Sequence, residues 1–356
     1  MLPECSVDTE LGTDAGPRLH EDPRPTADSR PISDPRLAAD PSLAVLSNAG
    51  SRANRNGRWS LLALSGLNGP HEVTHDVTEL PAALDELLAA RPDALAINGG
   101  DGTLQTLLSE CARRGVLDAL PPLAVLPGGT TNMSAHDLSG LARQREALRA
   151  FAALRGLPRE AWPVTRRPVV EVHTGDGRRF AGLFFGLGTV VRGVELWQQA
   201  LRRRSRAGDL GVAVAVGRAM WGIARRKPPF DEATPVTLRF DGEPPTDTAV
   251  SALMVTTLER LVLRMRPYWG DGAGPLTSTW MEARPRRLLR HLPPLLWGRA
   301  SGLPDDGGYH SRRATCLTIG VDDPWLLDGE VLRAPGPLTV VASPPLPFLD
   351  LRRCLR

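Results

Sequence analysis

The chain has 356 residues, of which 42% are apolar and 23% charged, a composition typical of a soluble globular protein with one large domain or two ordinary ones. The net charge is +3, but lysine occurs only at Lys227, within a run of arginines and prolines. This excludes a Walker P-loop, a protein kinase and a Schiff-base enzyme, because each needs a lysine in a defined setting. The four cysteines include no CxxC pair, which argues against a cysteine-rich zinc site.

The first 42 residues differ in character from the rest. Residues 1–42 hold seven prolines, nine acidic residues and four arginines without apolar periodicity, which predicts a disordered tail. The chain does not open on a basic-then-apolar leader. Its longest charge-poor apolar run, residues 211–224, contains Arg218 and is too short to span a bilayer. We therefore expect a cytoplasmic location.

Residues 43–164 alternate short apolar strands with helices. We predict strands at residues 43–46, 94–97 and 123–126, and helices at residues 80–91, at residues 103–114 and from Thr130 onward. This alternation predicts an α/β domain whose parallel sheet is covered by helices on both faces.

Residues 165–335 have a different pattern, in which short apolar runs are separated by turn residues. Together with one run further on, the predicted strands are residues 169–172, 180–185, 236–240, 249–255, 261–265, 276–281, 314–319 and 338–341. A helical insertion is predicted at residues 194–226. We expect a β-rich, sandwich-like second domain, followed by a C-terminal segment, residues 336–356, that can return to the first domain.

Two glycine-rich segments each follow a predicted strand and precede a predicted helix. They are NGGDGT at residues 98–103 and LPGGTTN at residues 126–132. In a right-handed βαβ arrangement both turns lie at the carboxyl edge of the sheet, where such sheets bind ligands. Glycines let backbone N–H groups approach phosphate oxygens, and Thr103 and Thr130 can cap helices whose N-termini favour anions. The turn at residues 48–51 follows another strand and can line the same edge.

Asp101 lies between the glycines of the first segment. Because a carboxylate repels bare phosphate, this position predicts a bound cation, such as Mg²⁺ bridging nucleotide phosphates, or a role in proton transfer. The alternative is a plain tight turn in which Asp101 bonds its own backbone. Two matching turns at one sheet edge favour a phosphate site.

Five segments resemble motifs of the diacylglycerol kinase catalytic family, which includes bacterial lipid kinases and sphingosine kinases, with NAD kinases as distant relatives. In chain order they are SNAGS at residues 47–51 (an N-P-x-S-G turn with alanine for proline), INGGDGT at 97–103 (GGDGT), LPGGTTN at 126–132 (P-x-G-T-x-N), FFGLG at 184–188 and LDGE at 327–330 (a late D-G-E). The resemblance extends over about residues 43–345.

The resemblance implies transfer of a phosphoryl group from ATP, with Mg²⁺, to a lipid hydroxyl, with the nucleotide bound between the two domains. It implies that Glu330 is the general base, with Asp328 beside it, and that Asp101 belongs to the catalytic centre. Asp271 lies near the position of the family's structural magnesium aspartate, although a plain turn is the alternative there. The implied nucleotide or metal contacts are Asn48, Ser51, Gly99, Gly100, Asp101, Gly102, Thr103, Gly129, Thr130 and Asn132.

Two features leave alternatives open. A second D-G-E, at residues 241–243, follows a predicted strand and predicts a surface hairpin. After GGDGT the family usually has an Asn-Glu pair, whereas this chain has Gln105 and Thr106. The alternatives to a lipid kinase are therefore an NAD kinase-like enzyme and a non-catalytic relative that binds lipid or nucleotide. The second motif and the late D-G-E favour the lipid branch.

A lipid kinase must reach a bilayer surface. The apolar residues 212–224 lie between arginine-rich segments at 202–206 and 225–227, which predicts peripheral docking on anionic lipid headgroups at the inner membrane face. A core-packing helix is the alternative, and the arginines at residues 284–290 extend the basic surface or are ordinary solvated charge. With 5% aromatic residues and no RNA- or DNA-binding motif, no nucleic-acid partner is expected. The pattern does not predict an oligomeric state.

Overall fold

The computed structural model describes residues 40–55, 67–203, 218, 221–222, 225, 227–228, 230, 232–299, 303 and 307–355. The predicted tail up to residue 39 lies outside the described residues, as does most of the predicted insertion at residues 194–226. The described chain is built around two sheets, one with six strands and one with eleven.

The first sheet carries the predicted α/β domain. Its strands are β1 (Leu43–Asn48), β2 (His71–Thr74), β3 (Ala94–Gly99), β4 (Leu123–Pro127), β5 (Val164–Arg167) and β17 (Leu346–Leu349). They lie in the order β2-β1-β3-β4-β17-β5, and all neighbours are parallel except β5, which runs antiparallel to β17. The C-terminal segment thus contributes the strand that joins β4 to β5.

Helices cover both faces of this sheet. They are α1 (Leu80–Ala89), α2 (Asp101–Arg114), α3 (Met133–Leu138) and α4 (Gln144–Ala153). Successive strand residues point to opposite faces. In β1, Ala44 and Leu46 pack in the core with α1 and α2, whereas Leu43 and Val45 pack in the core with α4. Burial on both faces explains why β1, β3 and β4 are almost continuously apolar.

The second sheet is antiparallel and curled. Its strands are β6 (Val170–Thr174), β7 (Arg179–Gly182), β8 (Phe184–Gly188), β9 (Thr234–Phe240), β10 (Thr246–Thr256), β11 (Leu276–Glu282), β12 (Tyr309–Ala314), β13 (Cys316–Gly320), β14 (Trp325–Leu327), β15 (Glu330–Leu332) and β16 (Leu338–Ala342). The order is β15-β14-β8-β10-β9-β13-β16-β6-β7, and β11 and β12 branch from β10. Phe180 of β7 packs edge-on against Trp325 of β14 with ring centroids 5.4 Å apart. Strands from opposite ends of the sheet therefore meet around one core.

Two further helices complete the second domain. Helix α5 (Thr189–Arg203) follows β8, and helix α6 (Leu288–Leu296) lies between β11 and β12. Among the described residues, no helix combines the length and apolar character that crossing a bilayer requires.

The predicted fold class, a parallel α/β domain with a β-rich second domain, is confirmed, but some local predictions are wrong. The segments predicted as single strands at residues 180–185 and 314–319 are each divided, between β7 and β8 and between β12 and β13. The predicted strand at residues 261–265 is instead a short turn, Val262–Arg264, closed by the Leu261 N–H donating to the Met265 carbonyl at 2.9 Å. The helix predicted from Thr130 begins at Met133, because Asn132 adopts a left-handed conformation with φ of 50°.

Candidate active site

The carboxyl ends of three neighbouring strands meet at one edge of the first sheet. Strands β1, β3 and β4 end at Asn48, Gly99 and Pro127, respectively. The turns that follow are bonded to one another: the Gly128 N–H donates to the Gly99 carbonyl at 2.8 Å, and the Ala53 N–H donates to the Gly128 carbonyl at 3.0 Å. The three turns therefore form one continuous floor.

The two glycine-rich turns are in direct contact at Gly100 and Gly129. A Cβ on Gly129 would lie 2.7 Å from the Gly100 Cα, and a Cβ on Gly100 would lie 3.0 Å from the Gly129 Cα. Only hydrogen fits between the two backbones. The two segments that the sequence placed at one edge are thus brought together, and their surface carries no side chain at the point of contact.

Polar side chains under the floor hold the turns in place. The Asn98 amide donates to Ser47 Oγ at 2.9 Å and accepts from Gln144 Nε2 at 2.6 Å. Asn54 is buried and donates to the backbone carbonyls of Asn48, at 2.7 Å, and Asn98, at 2.9 Å. No sequence motif indicates Asn54 or Gln144, because only the folded sheet brings them to Asn98.

Asn48 and Asn132 lie at the site, and their side chains shape the turns. Asn132 Oδ1 accepts from the Gly129 N–H at 2.6 Å, and its Nδ2 donates to the Gly129 carbonyl at 3.2 Å. Asn48 Nδ2 donates to Thr103 Oγ1 at 2.9 Å, while its Oδ1 accepts from the Gly50 N–H at 2.8 Å. Both amide side chains therefore stabilise the turns that form the floor of the site.

The Asp101 side chain links the first glycine-rich turn to α3, the helix that follows the second glycine-rich turn. Its Oδ1 accepts from the Ser134 N–H at 2.9 Å and its Oδ2 from the Met133 N–H at 3.1 Å. The carboxylate thus caps the N-terminus of α3, where negative charge is favourable. Its partners are in the neighbouring turn and not in its own, so the plain-turn alternative for Asp101 does not describe its hydrogen bonds. Each oxygen keeps a further acceptor position.

A large polar cavity lies above the turns. Its volume is about 1070 Å³, and Gly100, Gly102, Gly129 and Thr130 form part of its lining. Other predicted residues on its wall are Asn48, Ser51 and Thr103. Gly99 lies behind this surface, since a Cβ there would lie 2.4 Å from Thr103 Oγ1.

Two arginines that lie outside the sequence motifs also line the polar cavity. Arg52 and Arg55 are exposed and follow the first turn directly, and Arg55 Nε donates to the Gly50 carbonyl at 3.0 Å. The sequence signal for these arginines is their position directly after the N-P-x-S-G-like turn at residues 47–51. They supply positive charge in a site where the chain offers no lysine.

A second, apolar cavity of about 490 Å³ lies on the other side of the same turns. Its apolar lining includes Phe184, Val190, Val194, Ala252, Met254, Leu261, Val262, Met265, Trp280, Met281, Leu295, Leu296 and Leu326. The two cavities share Gly100, Gly102, Gly129, Thr130 and Glu330. The glycine turns and one carboxylate are therefore the boundary between a polar and an apolar compartment.

Glu330 is the only ionisable residue common to the two cavity linings among the described residues. Its Oε1 would lie 3.6 Å from a Cβ on Gly102, in the first turn of α2. Its carboxylate forms no hydrogen bond or ion pair within the described part of the chain, so its lone pairs are available to a ligand. Helix α2 begins one residue before Gly102, so the Glu330 carboxylate lies near a helix N-terminus.

Asp328 is brought to the site, where it lines the apolar cavity. It is buried, and its two oxygens accept from the N–H groups of Leu183 and Phe184, each at 2.8 Å. Burial raises its pKa to about 8, the nearby negative charge of Asp101 adds to the rise, and the two N–H groups oppose it. These two bonds anchor the hairpin that carries Glu330, and the role of Asp328 beside Glu330 stays a prediction.

The two D-G-E segments have the same backbone geometry. Asp328 and Gly329 both have positive φ, as do Asp241 and Gly242, and such turns are typical of tight hairpins. In the second segment, Glu243 forms a surface ion pair with Arg312. The hairpin predicted for residues 241–243 is present, residues 328–330 form a hairpin as well, and of the two only the latter lines the two cavities.

Asp271 is not brought to the site. It lies in an exposed loop where its carbonyl accepts from the Arg313 N–H at 3.1 Å, and it lines neither cavity. The turn alternative describes this loop better than the predicted metal role does. Within the described ranges, no group of three or more His, Cys, Asp or Glu side chains is arranged to hold a metal ion.

Gln105 and Thr106, which depart from the family pattern, face the polar cavity. Gln105 Nε2 donates to Ser109 Oγ at 3.0 Å, and Thr106 Oγ1 donates to the Gly102 carbonyl at 2.8 Å. Ser109 in turn donates to the Ala181 carbonyl at 3.0 Å. These side chains therefore tie α2 to itself and to β7.

Comparison with known proteins agrees with this geometry. Residues 45–161 match the sequence profile of the diacylglycerol kinase catalytic domain. A candidate diacylglycerol kinase from Bacillus anthracis str. Sterne superposes with a TM-score of 0.60 at 17% identity, covering 86% of this chain and 96% of that one. A further structure, of a diacylglycerol kinase from the same organism, gives a TM-score of 0.56 at 14% identity with the same coverage. No curated protein matches the sequence.

These findings show what the chain is similar to. Residues 45–161 match the diacylglycerol kinase catalytic domain, and the resemblance drawn from the sequence motifs is confirmed. At such low identities the structural similarity establishes the fold, in which this domain is followed by a β-rich second domain.

Proposed function

We propose that the protein is an ATP-dependent lipid kinase that transfers the γ-phosphate of ATP to a lipid hydroxyl. The observation that carries this proposal is the position of Glu330 on the boundary between the polar cavity and the apolar cavity. A phosphoryl group and an apolar acceptor that occupied these two cavities would meet beside an unpaired carboxylate.

The polar cavity suits a triphosphate. The N–H groups of Asp101 and Gly102, in the first turn of α2, form no hydrogen bond with other described residues, and a helix N-terminus favours anions. Arg52 and Arg55 add two positive charges on the wall. Guanidinium groups match phosphate geometry and can serve where other nucleotide sites use lysine.

Magnesium fits this site when a nucleotide supplies part of its coordination. Mg²⁺ is commonly bound by one or two carboxylates together with substrate phosphates and water. Asp101 lies between the two glycine turns and keeps one acceptor position on each oxygen, and Glu330 is unpaired among the described residues. When bound, the ion would neutralise phosphate charge.

The apolar cavity suits the chain of a lipid. Its lining is dominated by aliphatic, aromatic and methionine side chains, and its few polar groups include Thr189, Gln198 and Thr279. Apolar surface of this kind favours hydrocarbon over a dinucleotide. This lining is the reason to prefer a lipid acceptor to NAD.

A residue of this chain can accept the proton that the acceptor hydroxyl loses during the transfer. The acceptor oxygen would form a bond to the γ-phosphorus, the bond from that phosphorus to the β–γ bridging oxygen would break, and ADP would leave with the bond's electron pair. Glu330 would accept the proton of the acceptor hydroxyl. Asp328 would hold the hairpin that orients Glu330, and the turn N–H groups and arginines would stabilise the transferring phosphoryl group.

The test is binding followed by transfer. We expect ATP with Mg²⁺ to bind the purified protein and labelled phosphate to appear on members of a panel of diacylglycerol, monoacylglycerol and sphingoid bases. Label on NAD alone would favour the NAD kinase alternative, and nucleotide or lipid binding without any transfer would favour the non-catalytic alternative suggested by Gln105 and Thr106. Either result contradicts the proposal.

A further inference from the structure

Helix α6 carries an apolar stripe on its outer face. Leu288 and Leu295 are buried against the second sheet, so the opposite side of the helix faces outward. On that side lie Leu289, Pro293 and Trp297, spaced by four residues, and Leu289 is 44% and Trp297 55% exposed. An apolar stripe opposite a buried face has no partner within the described chain.

A strained turn presents another apolar side chain next to this stripe. Leu263 and Arg264 adopt consecutive left-handed conformations, with φ of 57° and 59°, and Leu263 is 43% exposed. Left-handed backbone is unfavourable for a bulky leucine. The turn is fixed to the end of α6 by the Arg266 N–H, which donates to the Leu296 carbonyl at 2.9 Å.

The apolar stripe and the turn both lie on the outer side of the apolar cavity. Val262 and Met265, on either side of the turn tip, line the apolar cavity, and Leu295 and Leu296 of α6 line it as well. The exposed apolar side chains are thus the outward neighbours of the residues that enclose the predicted acceptor site.

Arginines border this apolar surface. Those without an ion pair to any described residue are Arg264, Arg266, Arg287, Arg290 and Arg299, and all five are exposed. The neighbouring acidic residues are engaged elsewhere: Glu259 pairs with Arg167 at 2.6 Å, and Glu282 with His310 at 2.9 Å. Apolar side chains that include a tryptophan, framed by unpaired arginines, match the chemistry of an anionic bilayer surface.

We propose that this docking face binds an anionic lipid bilayer and opens the apolar cavity toward the membrane. The docking face consists of Leu263, Leu289, Pro293 and Trp297 with Arg264, Arg266, Arg287, Arg290 and Arg299. The arginines contact lipid phosphates, and the leucines and the tryptophan enter the interface. The part about opening the cavity rests on the proposed lipid kinase function, whereas binding to the bilayer does not. This face differs from the predicted segment at residues 212–224.

The first test is vesicle binding without ATP or an acceptor. We expect the protein to co-sediment with vesicles of phosphatidylcholine and phosphatidylglycerol, and the affinity to fall as salt increases. Vesicles of phosphatidylcholine alone are expected to bind much more weakly. Equal affinity for both vesicles, or no binding to either, contradicts the proposal.

The second test locates the surface. Each arginine near an anionic bilayer contributes about fivefold in affinity, so the double variant Arg264→Glu, Arg290→Glu is expected to bind at least about 25-fold more weakly. The pair Leu289→Ser, Trp297→Ser is expected to lose binding as well. The matched controls are Arg149→Glu and Leu355→Ser, which alter exposed residues elsewhere. An equal loss in the controls, or no loss in the docking-face variants, overturns the proposal.

The third test separates a membrane from a second copy of this chain. We expect the sedimentation coefficient in solution to be the same for the wild type and for Leu289→Ser, Trp297→Ser. A dimer that dissociates in this variant, together with absence of vesicle binding, assigns the face to self-association and overturns the proposal.

Failure of docking and failure of the kinase function are distinguishable. Docking-face variants are expected to retain phosphate transfer to an acceptor dispersed in detergent and to lose transfer to the same acceptor in anionic vesicles. If no acceptor is phosphorylated while vesicle binding persists, the kinase function is contradicted and the docking proposal stands. Equal loss of transfer in detergent and in vesicles would contradict the docking role.

Discussion

Position 129 requires glycine because another backbone occupies the place of its side chain. A Cβ there would lie 2.7 Å from the Gly100 Cα, with backbone on both sides of the contact. The two turns depend on this approach for the shape of their shared surface. The same argument explains why the motif could be recognised in the sequence, because two backbones can approach this closely only where the residue is glycine.

We predict that Gly129→Ala separates the two turns. The expected result is a loss of about 1–3 kcal/mol in the free energy of unfolding, the usual cost of overpacking, together with at least a tenfold weaker affinity for ATP. Denaturant titration and nucleotide titration measure the two effects. Gly156→Ala is the control, because a Cβ at Gly156 meets no atom within 4 Å. Unchanged ATP affinity in Gly129→Ala would contradict the role of the contact.

Asp328 makes stability depend on pH in a defined direction. Its pKa rises from 3.8 to about 8 in the folded chain because the carboxyl is buried beside Asp101. Between these values the folded state keeps a proton that the unfolded state has lost. The free energy of unfolding therefore decreases as pH rises through this window, with a slope that approaches about 1.4 kcal/mol per pH unit.

The variant Asp328→Asn tests this sign, because asparagine cannot ionise. We expect the free energy of unfolding of the variant minus that of the wild type to increase from about pH 4 to about pH 8 and to level off outside this range. Urea denaturation at a series of pH values gives the difference. A difference that is independent of pH, or that decreases over this range, would contradict the burial-driven shift.

At the scale of elements, the site depends on how short segments are fastened to one another. Helix α3 has six residues, and its first two free N–H groups are capped by Asp101 from another turn. The hairpin of β14 and β15 is held by Asp328 and by Gln198 Nε2, which donates to the Gly329 carbonyl at 2.8 Å. These hydrogen bonds hold the short elements that carry the functional groups, which would not be stable in isolation.

We predict that Asp101→Asn weakens both α3 and nucleotide binding. An asparagine can accept only one of the two bonds and turns its NH₂ group toward the other donor, so the expected loss in the free energy of unfolding is about 1–3 kcal/mol. The affinity for ATP with Mg²⁺ is expected to fall at least tenfold. Calorimetric titration with and without Mg²⁺ checks the second effect.

Asp241→Asn provides the charge-matched comparison for that experiment. Asp241 Oδ1 accepts from the N–H groups of Thr315 and Cys316, each at 2.9 Å, at the other D-G-E hairpin, so the carbonyl oxygen of an asparagine can keep both bonds. We expect little change in stability and no change in ATP affinity. An equal effect of both variants on ATP affinity would mean that the loss caused by Asp101→Asn is not specific to the site.

Which elements could be predicted follows from their length and burial. Strands β1, β3 and β4 and helices α1 and α2 are long apolar or periodic segments, and the sequence alone predicts them. Strands β2, β14, β15 and β17 have three or four residues and exist because distant segments pair with them, so no local pattern predicts them. Residues 261–265 have the composition of a strand, but their apolar side chains enclose a cavity and do not alternate on a sheet.

The candidate site likewise has parts that the sequence predicts and parts that it does not. The glycine turns are encoded locally by the motifs at residues 98–103 and 126–132, as is the D-G-E hairpin. The role of Asn54, the position of Arg52 and Arg55 on the cavity wall and the apolar lining of the second cavity depend on tertiary packing. The anchoring of Asp328 by two N–H groups from a distant strand could not be seen in the sequence either, because it arises from the pairing of β14 with β8.

At the scale of the whole molecule, two sheets enclose two compartments of opposite polarity. The first sheet supplies the turns that border the polar cavity, the second domain supplies most of the apolar side chains that line the other cavity, and β17 returns the chain from the second domain to the first. Two arginines lie at the polar cavity and five on the docking face. This organisation separates a charged donor site from an apolar acceptor site and leaves one carboxylate between them.

The most direct test of this account is the turnover of Glu330→Gln compared with Glu243→Gln. Both variants neutralise the glutamate of a D-G-E hairpin, but only Glu330 lies between the cavities. In a labelled-phosphate assay with a dispersed lipid acceptor, we predict that Glu330→Gln loses at least about a hundredfold in kcat, in the range typical of a lost general base, and keeps its affinity for ATP, while Glu243→Gln retains wild-type turnover. Wild-type turnover in Glu330→Gln would contradict the central claim.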